Sequence, residues 1–364
     1  MIWILLLAFA ACAMVTLLVI ASAHRHSQWT SDHDLSGPQK MHANVVPRIG
    51  GIGIASGLLA GMLALGLVQP ALWQAVLLTL VCAAPAFGLG LVEDLTKSVS
   101  PRRRLVAAAL SGLMGYYLLG AVWPPLGLPW VDTLLALPGV TLVLSLIYVA
   151  GMVNAVNIID GMNGLASMCT AIMMAALCYV ALQVGDLLVA GLALACVGAA
   201  LGFFIWNYPR GLVFLGDGGA YLLGFMVATL ALLLCARNPQ VSPLLPVVLP
   251  AYPIFETLFT MYRRRVLRGR PVSLPDGIHL HTLIYRRILR WALGPDDAAA
   301  RTKGNSMTSP YLWVLSSVAV VPTALFWSST PALLAALVLF TLAYLFLYWR
   351  IVRFRTPGWL TLGG

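Results

Sequence analysis

Long apolar runs separated by short polar segments fill this chain, and the pattern predicts membrane-spanning helices. A helical span needs about 20 predominantly apolar residues. Eleven runs meet that length, and they cover residues 2–23, 51–69, 72–92, 105–123, 134–153, 165–183, 187–205, 219–236, 243–262, 309–327 and 331–349. The short polar returns near Gln69, Gly185 and Ser328 predict tight hairpins between antiparallel helices. The pattern therefore predicts an all-α, multi-pass membrane protein in which residues 1–364 form one domain.

The composition fits this prediction. The 364 residues are 60% hydrophobic and 9% charged, whereas an ordinary soluble domain carries about 25% charged residues. The six cysteines lie in apolar runs without metal-binding spacing, so we expect them to be buried as small hydrophobic residues. We predict no cleavable signal peptide, because the first apolar run is long enough to span and no basic region precedes it.

The basic residues predict the orientation of the chain. With eleven spans, all but one of the 22 Lys and Arg residues fall on one side, and the exception is Arg237. The positive-inside rule makes that side cytoplasmic, which places the N-terminus outside and the C-terminus inside. The predicted cytoplasmic segments are loops 24–50, 93–104, 154–164, 206–218 and 263–308 and the tail 350–364. Topology and anionic lipid account for the net charge of +10, so we predict no nucleic-acid partner.

Acidic and amide side chains gather on this predicted cytoplasmic face in three loops of unusual sequence. The three stretches are "GLGLVEDLTK" with Glu93 and Asp94, "NAVNIIDGMNGLA" with Asn154, Asn157 and Asp160, and "FLGDGGAYLLG" with Asp217. Each alone has an ordinary interpretation as a solvated helix end, a polar turn or an N-cap. A polar turn does not explain two asparagines inside an apolar run, and irregular backbone at membrane depth is tolerated only beside a cavity. We therefore expect the three loops to line one cavity.

A long basic segment lies on the same predicted face. It opens with "RRRVLRGR" and continues as "LPDGIHLHTLIYRRILRWALG", where apolar residues and arginines alternate at helical spacing. This spacing predicts an amphipathic segment at the membrane surface, with His279 and His281 near its start. A divalent cation bound by the acids, and phosphates bound by the cation and the arginines, would satisfy both kinds of charge. The residues thus predict metal-assisted phosphoryl transfer at the membrane surface, with a lipid as the second substrate.

The order of these motifs resembles a known family. "PQKMHANVVPRIGG", "EDLTK", "NAVNIIDGMNGLA", "FLGDGGAYLLG" and "HLHT" are similar to motifs of the polyprenyl-phosphate N-acetylhexosamine-1-phosphate transferases, glycosyltransferase family 4. That family includes bacterial undecaprenyl-phosphate GlcNAc-1-phosphate transferases and phospho-N-acetylmuramoyl-pentapeptide transferase. The resemblance runs from about Lys40 to Tyr285, and the arginine-rich loop favours the GlcNAc-type branch. Glu93 stands where the family usually has Asp, and Gly277 and Thr282 replace an Arg and a His.

The resemblance implies a reaction and a location. A UDP-N-acetylhexosamine would donate its sugar 1-phosphate to undecaprenyl phosphate and release UMP, with Mg²⁺, or Mn²⁺ in its place, as cofactor. The product would begin a lipid-linked glycan such as O-antigen or a related cell-envelope polysaccharide. The protein would lie in the bacterial inner membrane, in contact with membrane lipid, and a homodimer is compatible with this placement.

The resemblance also implies roles for individual residues. Asp217 would bind the metal, with Asn157 beside it. Asp94, together with Glu93, would accept the proton of the acceptor or orient its phosphate. Asp160 would position the nucleotide with Asn154 and Asn157. The further predicted substrate contacts are Lys97, Asn207, Arg263, Arg264, Arg265, His279 and His281.

Two other functions are compatible with part of the pattern. A transporter of a lipid-linked or anionic substrate would place its polar residues nearer the midplane, in related halves of the chain. A CDP-alcohol phosphatidyltransferase would carry a D-G-x-x-A-R motif. The stretch "DGMNGL" lacks the Ala-Arg pair of that motif. The residues leave open the sugar (GlcNAc, GalNAc, QuiNAc or FucNAc), the glycan pathway, and whether a covalent intermediate forms; we favour direct attack.

Overall fold

The computed structural model of the chain describes residues 1–25, 46–267, 269, 278–289 and 298–353. These residues form helices joined by short turns, in the order α1 (Ile2–Ala21), α2 (Gly50–Val68), α3 (Trp73–Thr96), α4 (Pro101–Met114), α5 (Pro129–Leu135), α6 (Pro138–Ile159), α7 (Leu165–Gln183), α8 (Leu187–Asn207), α9 (Gly216–Arg237), α10 (Leu245–Val248), α11 (Ala251–Tyr262), α12 (Leu280–Ile284), α13 (Ala298–Leu325) and α14 (Thr330–Val352). The predicted all-α, multi-pass architecture is confirmed.

Within the described residues, nine helices are long and apolar enough to cross a membrane, so the predicted count of eleven is not confirmed. The predicted span 105–123 is a 14-residue helix, α4, that begins beside three arginines and passes into a π-helical turn at Gly115–Leu119. The predicted span 243–262 is divided into α10 and α11. Pro250 lies at this break. Proline has no backbone N–H to donate within a helix, so it interrupts the helical hydrogen bonds here. The sides of the membrane on which the loops lie stay a prediction.

Two predicted boundaries move in ways that matter for the site. Helix α6 extends to Ile159 instead of 153, so Asn154 and Asn157 lie in its last turns. Helix α13 begins at Ala298 instead of 309. Parts of three predicted cytoplasmic segments lie outside the described residues: 26–45 with most of the "PQKMHANVVPRIGG" motif, 270–277 and 290–297 of the basic segment, and the tail from 354 onward.

Helix α9 is the centre of the bundle. Every residue from Gly216 to Cys235 is buried, and the helix packs closely against α3 and α6. Glycine permits a close approach between α3 and α9, because a Cβ on Gly90 of α3 would lie 2.7 Å from the Cα of Gly218. The buried interior holds all six cysteines as free thiols, as predicted. The buried end of α9 is therefore held against the end of α3, where the acidic residues lie.

Candidate active site

Asp94 joins the end of α3 to the start of α9. Its side chain has no exposed surface. One carboxylate oxygen accepts the N–H of Asp217 at 2.8 Å, and the other accepts the N–H of Gly218 at 2.9 Å. The first turn of a helix has N–H groups without partners in the helix, so Asp94 caps α9 from another element. The close fit requires glycine at 216, where φ is +74° and a Cβ would lie 2.5 Å from the Asp94 carboxylate.

Asp217 is held in place by side chains from three helices. Its Oδ1 accepts a hydrogen bond from the Asn157 amide at 2.9 Å, and its Oδ2 accepts one from Tyr221 at 3.3 Å. The same oxygen forms an ion pair with Arg104 of α4. Asp217 is thus not an ordinary N-cap, because its carboxylate binds side chains and leaves the backbone amides to Asp94.

The turn between α6 and α7 brings Asp160 to the same place. Helix α6 ends at Ile159, and Gly164 has φ +72° before α7 begins, which confirms the predicted departure from helical geometry. The carboxylate of Asp160 has neither a hydrogen bond nor an ion pair with the described residues, and only its backbone N–H is bound, by the Asn157 carbonyl at 3.2 Å. Desolvation, together with the carboxylates of Asp217 and Asp94, raises the pKa of Asp160 well above its ordinary value. A proton on Asp160 or a cation beside it would reduce the unfavourable energy of this buried negative charge.

This turn is clamped by its neighbours. The backbone N–H of Asn163 donates to Asn305 at 2.7 Å, and its carbonyl accepts from Ser309 at 2.6 Å. The Asn163 amide donates to the Pro209 carbonyl at 3.1 Å. Helix α13 therefore fixes the shape of the turn although it lies far along the chain.

Asn207 belongs to this clamp more than to a substrate site. Its carbonyl oxygen accepts the N–H of Gly164 at 2.5 Å, and its amide donates to the Val213 carbonyl at 2.7 Å. Both polar ends of the side chain are therefore used by backbone groups, although Asn207 also lies at the wall of the cavity described below. Its contacts favour a structural role at this position.

Two histidines close the other side of the site. The rings of His279 and His281 are stacked, with centroids 5.2 Å apart and an interplanar angle of 5°. His281 approaches the α6–α7 turn, because a Cβ on Gly161 would lie 2.6 Å from its Nε2. The predicted proximity of the histidine motif to the acidic loops is therefore present.

These groups surround one cavity of about 400 Å³. Its polar and charged lining residues are Arg48, Asn157, Asp160, Asn163, Asn207, Asp217, His279 and His281. Among the described residues, no three His, Cys, Asp or Glu side chains lie close enough together to form a metal site on their own. Mg²⁺ commonly binds through one or two carboxylates and completes its shell with water and substrate phosphate. The donor set of Asp217, Asn157 and Asp160 fits that mode.

Several predicted site residues point elsewhere. Asn154 donates to the Ala150 carbonyl of its own helix at 2.7 Å. Glu93 accepts the N–H of Val99 at 2.7 Å, and Lys97 is an exposed residue that ends α3 with φ +52°. None of the three lines the cavity.

The predicted arginines also lie away from the cavity wall. Arg263 is buried and donates to the Ile278 carbonyl at 2.6 Å and to the Tyr348 hydroxyl at 2.7 Å. Arg264 is buried and Arg265 is exposed, and neither lines the cavity. Arg263 instead joins α11 to the start of α12 and to α14.

Two arginines that the sequence pattern did not single out lie at the site. Arg48 lines the cavity, with its guanidinium 3.9 Å from Asp94, and Arg104 binds Asp217. Their position in the predicted loops was a usable signal, since Arg48 lies in "VPRIGG" and Arg104 follows "EDLTK" closely. The basic residues nearest in sequence to the acidic motifs would have been better candidates than the longest basic run.

The fold and the cavity together define a class: a multi-pass helical membrane protein with an acidic, histidine-lined cavity at one end of the bundle. The family profile of "Glycosyl transferase family 4" matches residues 76–235, which include most of α9 and all three acidic motifs. The chain belongs to this family.

Curated relatives agree with the assignment. A probable undecaprenyl-phosphate N-acetylglucosaminyl 1-phosphate transferase of Bacillus subtilis is 27% identical over 278 residues, covering 76% of each chain. An undecaprenyl-phosphate alpha-N-acetylglucosaminyl 1-phosphate transferase of Thermotoga maritima is 28% identical over 71% of this chain and 74% of the relative. A phospho-N-acetylmuramoyl-pentapeptide-transferase of Streptococcus thermophilus is 31% identical over 62% of this chain and 68% of the relative.

Proposed function

We propose that this protein transfers an N-acetylhexosamine 1-phosphate from a UDP-sugar to undecaprenyl phosphate and releases UMP. The observation that carries the proposal is the grouping of Asp217, Asn157 and Asp160 around one cavity at the end of an apolar bundle. The names of the relatives from B. subtilis and T. maritima support the acceptor and the transferred group.

The charges of the cavity suit a diphosphate with a divalent cation. Arg48 would donate to phosphate oxygens through charge-assisted hydrogen bonds, which are the stronger ones, and His279 and His281 line the same cavity. Asp160 and Asp217 would repel the same phosphates without a cation between them. Mg²⁺, or Mn²⁺ in its place, would be held by Asp217 and Asn157 with Asp160 near, and it would neutralise charge on the diphosphate.

The reaction needs one bond to form and one to break. A phosphate oxygen of undecaprenyl phosphate attacks the phosphorus that bears the sugar, and the bond from that phosphorus to the oxygen shared with UMP breaks. A phosphate monoester has a second pKa of about 6, so the acceptor is already ionised at neutral pH and requires no general base. The contacts of Asp94 accordingly favour a role in holding α9, with His279, His281 and Arg48 binding the diphosphate.

The acceptor and the product define where the protein works. A lipid-linked acceptor is consistent with a cavity at the end of helices that cross a membrane. We propose the bacterial inner membrane as the location and the start of a cell-envelope glycan, such as O-antigen, as the pathway step. The sugar among GlcNAc, GalNAc, QuiNAc and FucNAc is to be identified by experiment.

The test uses purified protein in nanodiscs with Mg²⁺, undecaprenyl phosphate and a panel of UDP-N-acetylhexosamines. We expect UMP release together with a sugar-diphosphate lipid, both dependent on the acceptor and both lost with chelator. Nucleotide-sugar uptake into vesicles without UMP release would favour a transporter. CMP release from a CDP-alcohol, with none from any UDP-sugar, would favour the phosphatidyltransferase.

A further inference from the structure

Glu256 is a buried carboxylate in α11 that the proposed reaction does not use. The side chain has no exposed surface, and burying an ionised carboxylate is costly unless donors surround it. Three donors do so. Oε1 lies 3.0 Å from His279 Nδ1 and accepts the Leu280 N–H at 3.1 Å, and Oε2 accepts the Tyr344 hydroxyl at 2.7 Å.

These contacts favour one arrangement of the protons on His279. Leu280 N–H and Tyr344 O–H both donate, so the Glu256 oxygens act as acceptors, which is the behaviour of the ionised form. We infer that the proton between Glu256 and His279 lies on Nδ1, where the Thr260 hydroxyl, 3.3 Å from the same nitrogen, can also accept it. The hydrogen bond made by one ring nitrogen sets the state of the other, so Nε2 of His279 is left to face other groups. The ring of His279 lines the cavity.

We propose that Glu256 is a positioning residue that acts through His279. It keeps the proton on Nδ1 and holds the ring at the cavity wall, so that Nε2 is the ring nitrogen available to a bound substrate. The ring of His281 is stacked parallel to the ring of His279, and it contacts the α6–α7 turn at Gly161. The orientation of His279 is therefore passed on to this turn through His281. The proposal rests on the proposed function for the identity of the diphosphate, whereas the state of His279 is a property of the protein alone.

The competing interpretation is a purely structural clamp. Glu256 joins α11 to the start of α12 and to α14 through the contacts above, and such a clamp would stabilise the fold whatever His279 does. The two interpretations differ in whether removing the charge, while keeping the shape, affects catalysis through His279.

The decisive variant is Glu256→Gln. Its carbonyl oxygen can still accept from His279 and Leu280, and its amide can meet the Tyr344 oxygen, so the packing and the number of contacts are retained while the charge is lost. We expect kcat to fall about 10- to 100-fold, as is typical when a group that orients a site residue is changed, with a smaller change in KM for the UDP-sugar. Tyr344→Phe is the matched structural control, because it removes a contact to Glu256 and keeps the charge; we expect a lower melting temperature with little loss of kcat.

A double-mutant cycle tests whether the effect passes through His279. The variants are Glu256→Gln, His279→Gln and the two combined. If Glu256 acts through His279, the combined variant should be no slower than His279→Gln alone, because coupled residues are non-additive. Multiplied effects in the combined variant, or unchanged kcat in Glu256→Gln, would overturn the proposal.

A readout that needs no turnover separates this proposal from the proposed function. The chain has six histidines, so ¹⁵N-histidine labelling gives a small set of imidazole signals, and His279→Gln assigns one of them. We expect Nδ1 of His279 to be protonated in the ligand-free protein and this preference to be lost in Glu256→Gln. A bare Nδ1 in the wild type would overturn the inference about Glu256, whereas absence of UMP release with a protonated Nδ1 would overturn only the proposed reaction.

Discussion

At the scale of single residues, the stretch from Asn154 to Asn163 divides into two groups. Asn157 and Asp160 line the cavity. Asn154 binds its own helix, and Asn163, which also lies at the cavity wall, is held by the α13 clamp. The sequence identified the stretch as unusual because its polar side chains lie between apolar runs, where burying a polar group is energetically unfavourable. It could not separate the two groups, because Asn305 and Ser309, which hold the backbone of Asn163, lie more than 140 positions away.

The first residue-scale prediction concerns Asp217. Asp217→Asn keeps the size of the side chain and removes the charge that would bind a divalent cation. We expect UMP release to fall by about two orders of magnitude or more, equivalent to at least ~2.7 kcal/mol of transition-state stabilisation. Tyr221→Phe, which removes the longer 3.3 Å contact to the same carboxylate, is the control and should have a much smaller effect. Wild-type turnover and Mg²⁺ dependence in Asp217→Asn would remove this residue from the metal site.

The second residue-scale prediction contrasts Asp160 with Asn305. The raised pKa of Asp160 means that its charge is unfavourable in the folded protein, so Asp160→Asn should melt no lower than the wild type. It should weaken both the UDP-sugar-induced thermal shift and turnover. Asn305→Ala leaves the buried N–H of Asn163 without its acceptor, which costs about 1–3 kcal/mol, so it should melt lower. Early unfolding of Asp160→Asn with normal activity of the folded fraction would show that Asp160 is structural.

At the scale of helices, most elements were predictable because their apolar runs exceed the length of a span. The exceptions have local causes. Helix α4 begins among three arginines, which make it less apolar than a span, and it passes into a π-helical turn. Pro250 lies where the last span before the basic segment is divided. The capping of α9 by Asp94 was not predictable, because the cap comes from α3 rather than from the residues that precede α9.

This cap gives the element-scale prediction. Asp94→Asn replaces one acceptor oxygen with an N–H donor that faces another donor at the start of α9. We expect a loss of about 0.5–2 kcal/mol, the usual cost of an N-cap, seen as a lower melting temperature together with reduced turnover. Glu93→Gln is the matched control, because an amide oxygen can still accept the Val99 N–H, and it should melt like the wild type. A variant Asp94→Asn that melts normally yet loses turnover would instead support the proton-accepting role.

At the scale of the whole molecule, the predicted orientation rests on the basic residues alone. The structure offers a direct test by thiol labelling. All six native thiols are buried, so we expect little labelling of the wild-type protein. Ser98, between α3 and α4, and Ser328, between α13 and α14, are both exposed. They lie in loops that the prediction assigns to opposite sides.

We expect an impermeant maleimide added to intact cells to label Ser328→Cys and not Ser98→Cys. A permeant maleimide should label both, because each site is accessible from its own side of the membrane. Labelling of Ser98→Cys by the impermeant reagent would place the acidic loops outside the cell and would contradict the site assignment as a whole.

The hydrogen bonds between α13 and Asn163 have a consequence for the folding of the chain during synthesis. All the acidic residues of the cavity are synthesised well before α13, and the turn that presents Asp160 lacks its hydrogen bonds with Asn305 and Ser309 until α13 is made. A nascent chain that stops after α12 would hold every carboxylate and both histidines of the site, and we expect it to be inactive. The chain would become active only when the final helical hairpin, α13 and α14, is present. We therefore expect a separately supplied fragment of α13 and α14 to restore activity to the truncated chain. Delayed assembly of this kind would keep half-made copies in the membrane from consuming the lipid carrier.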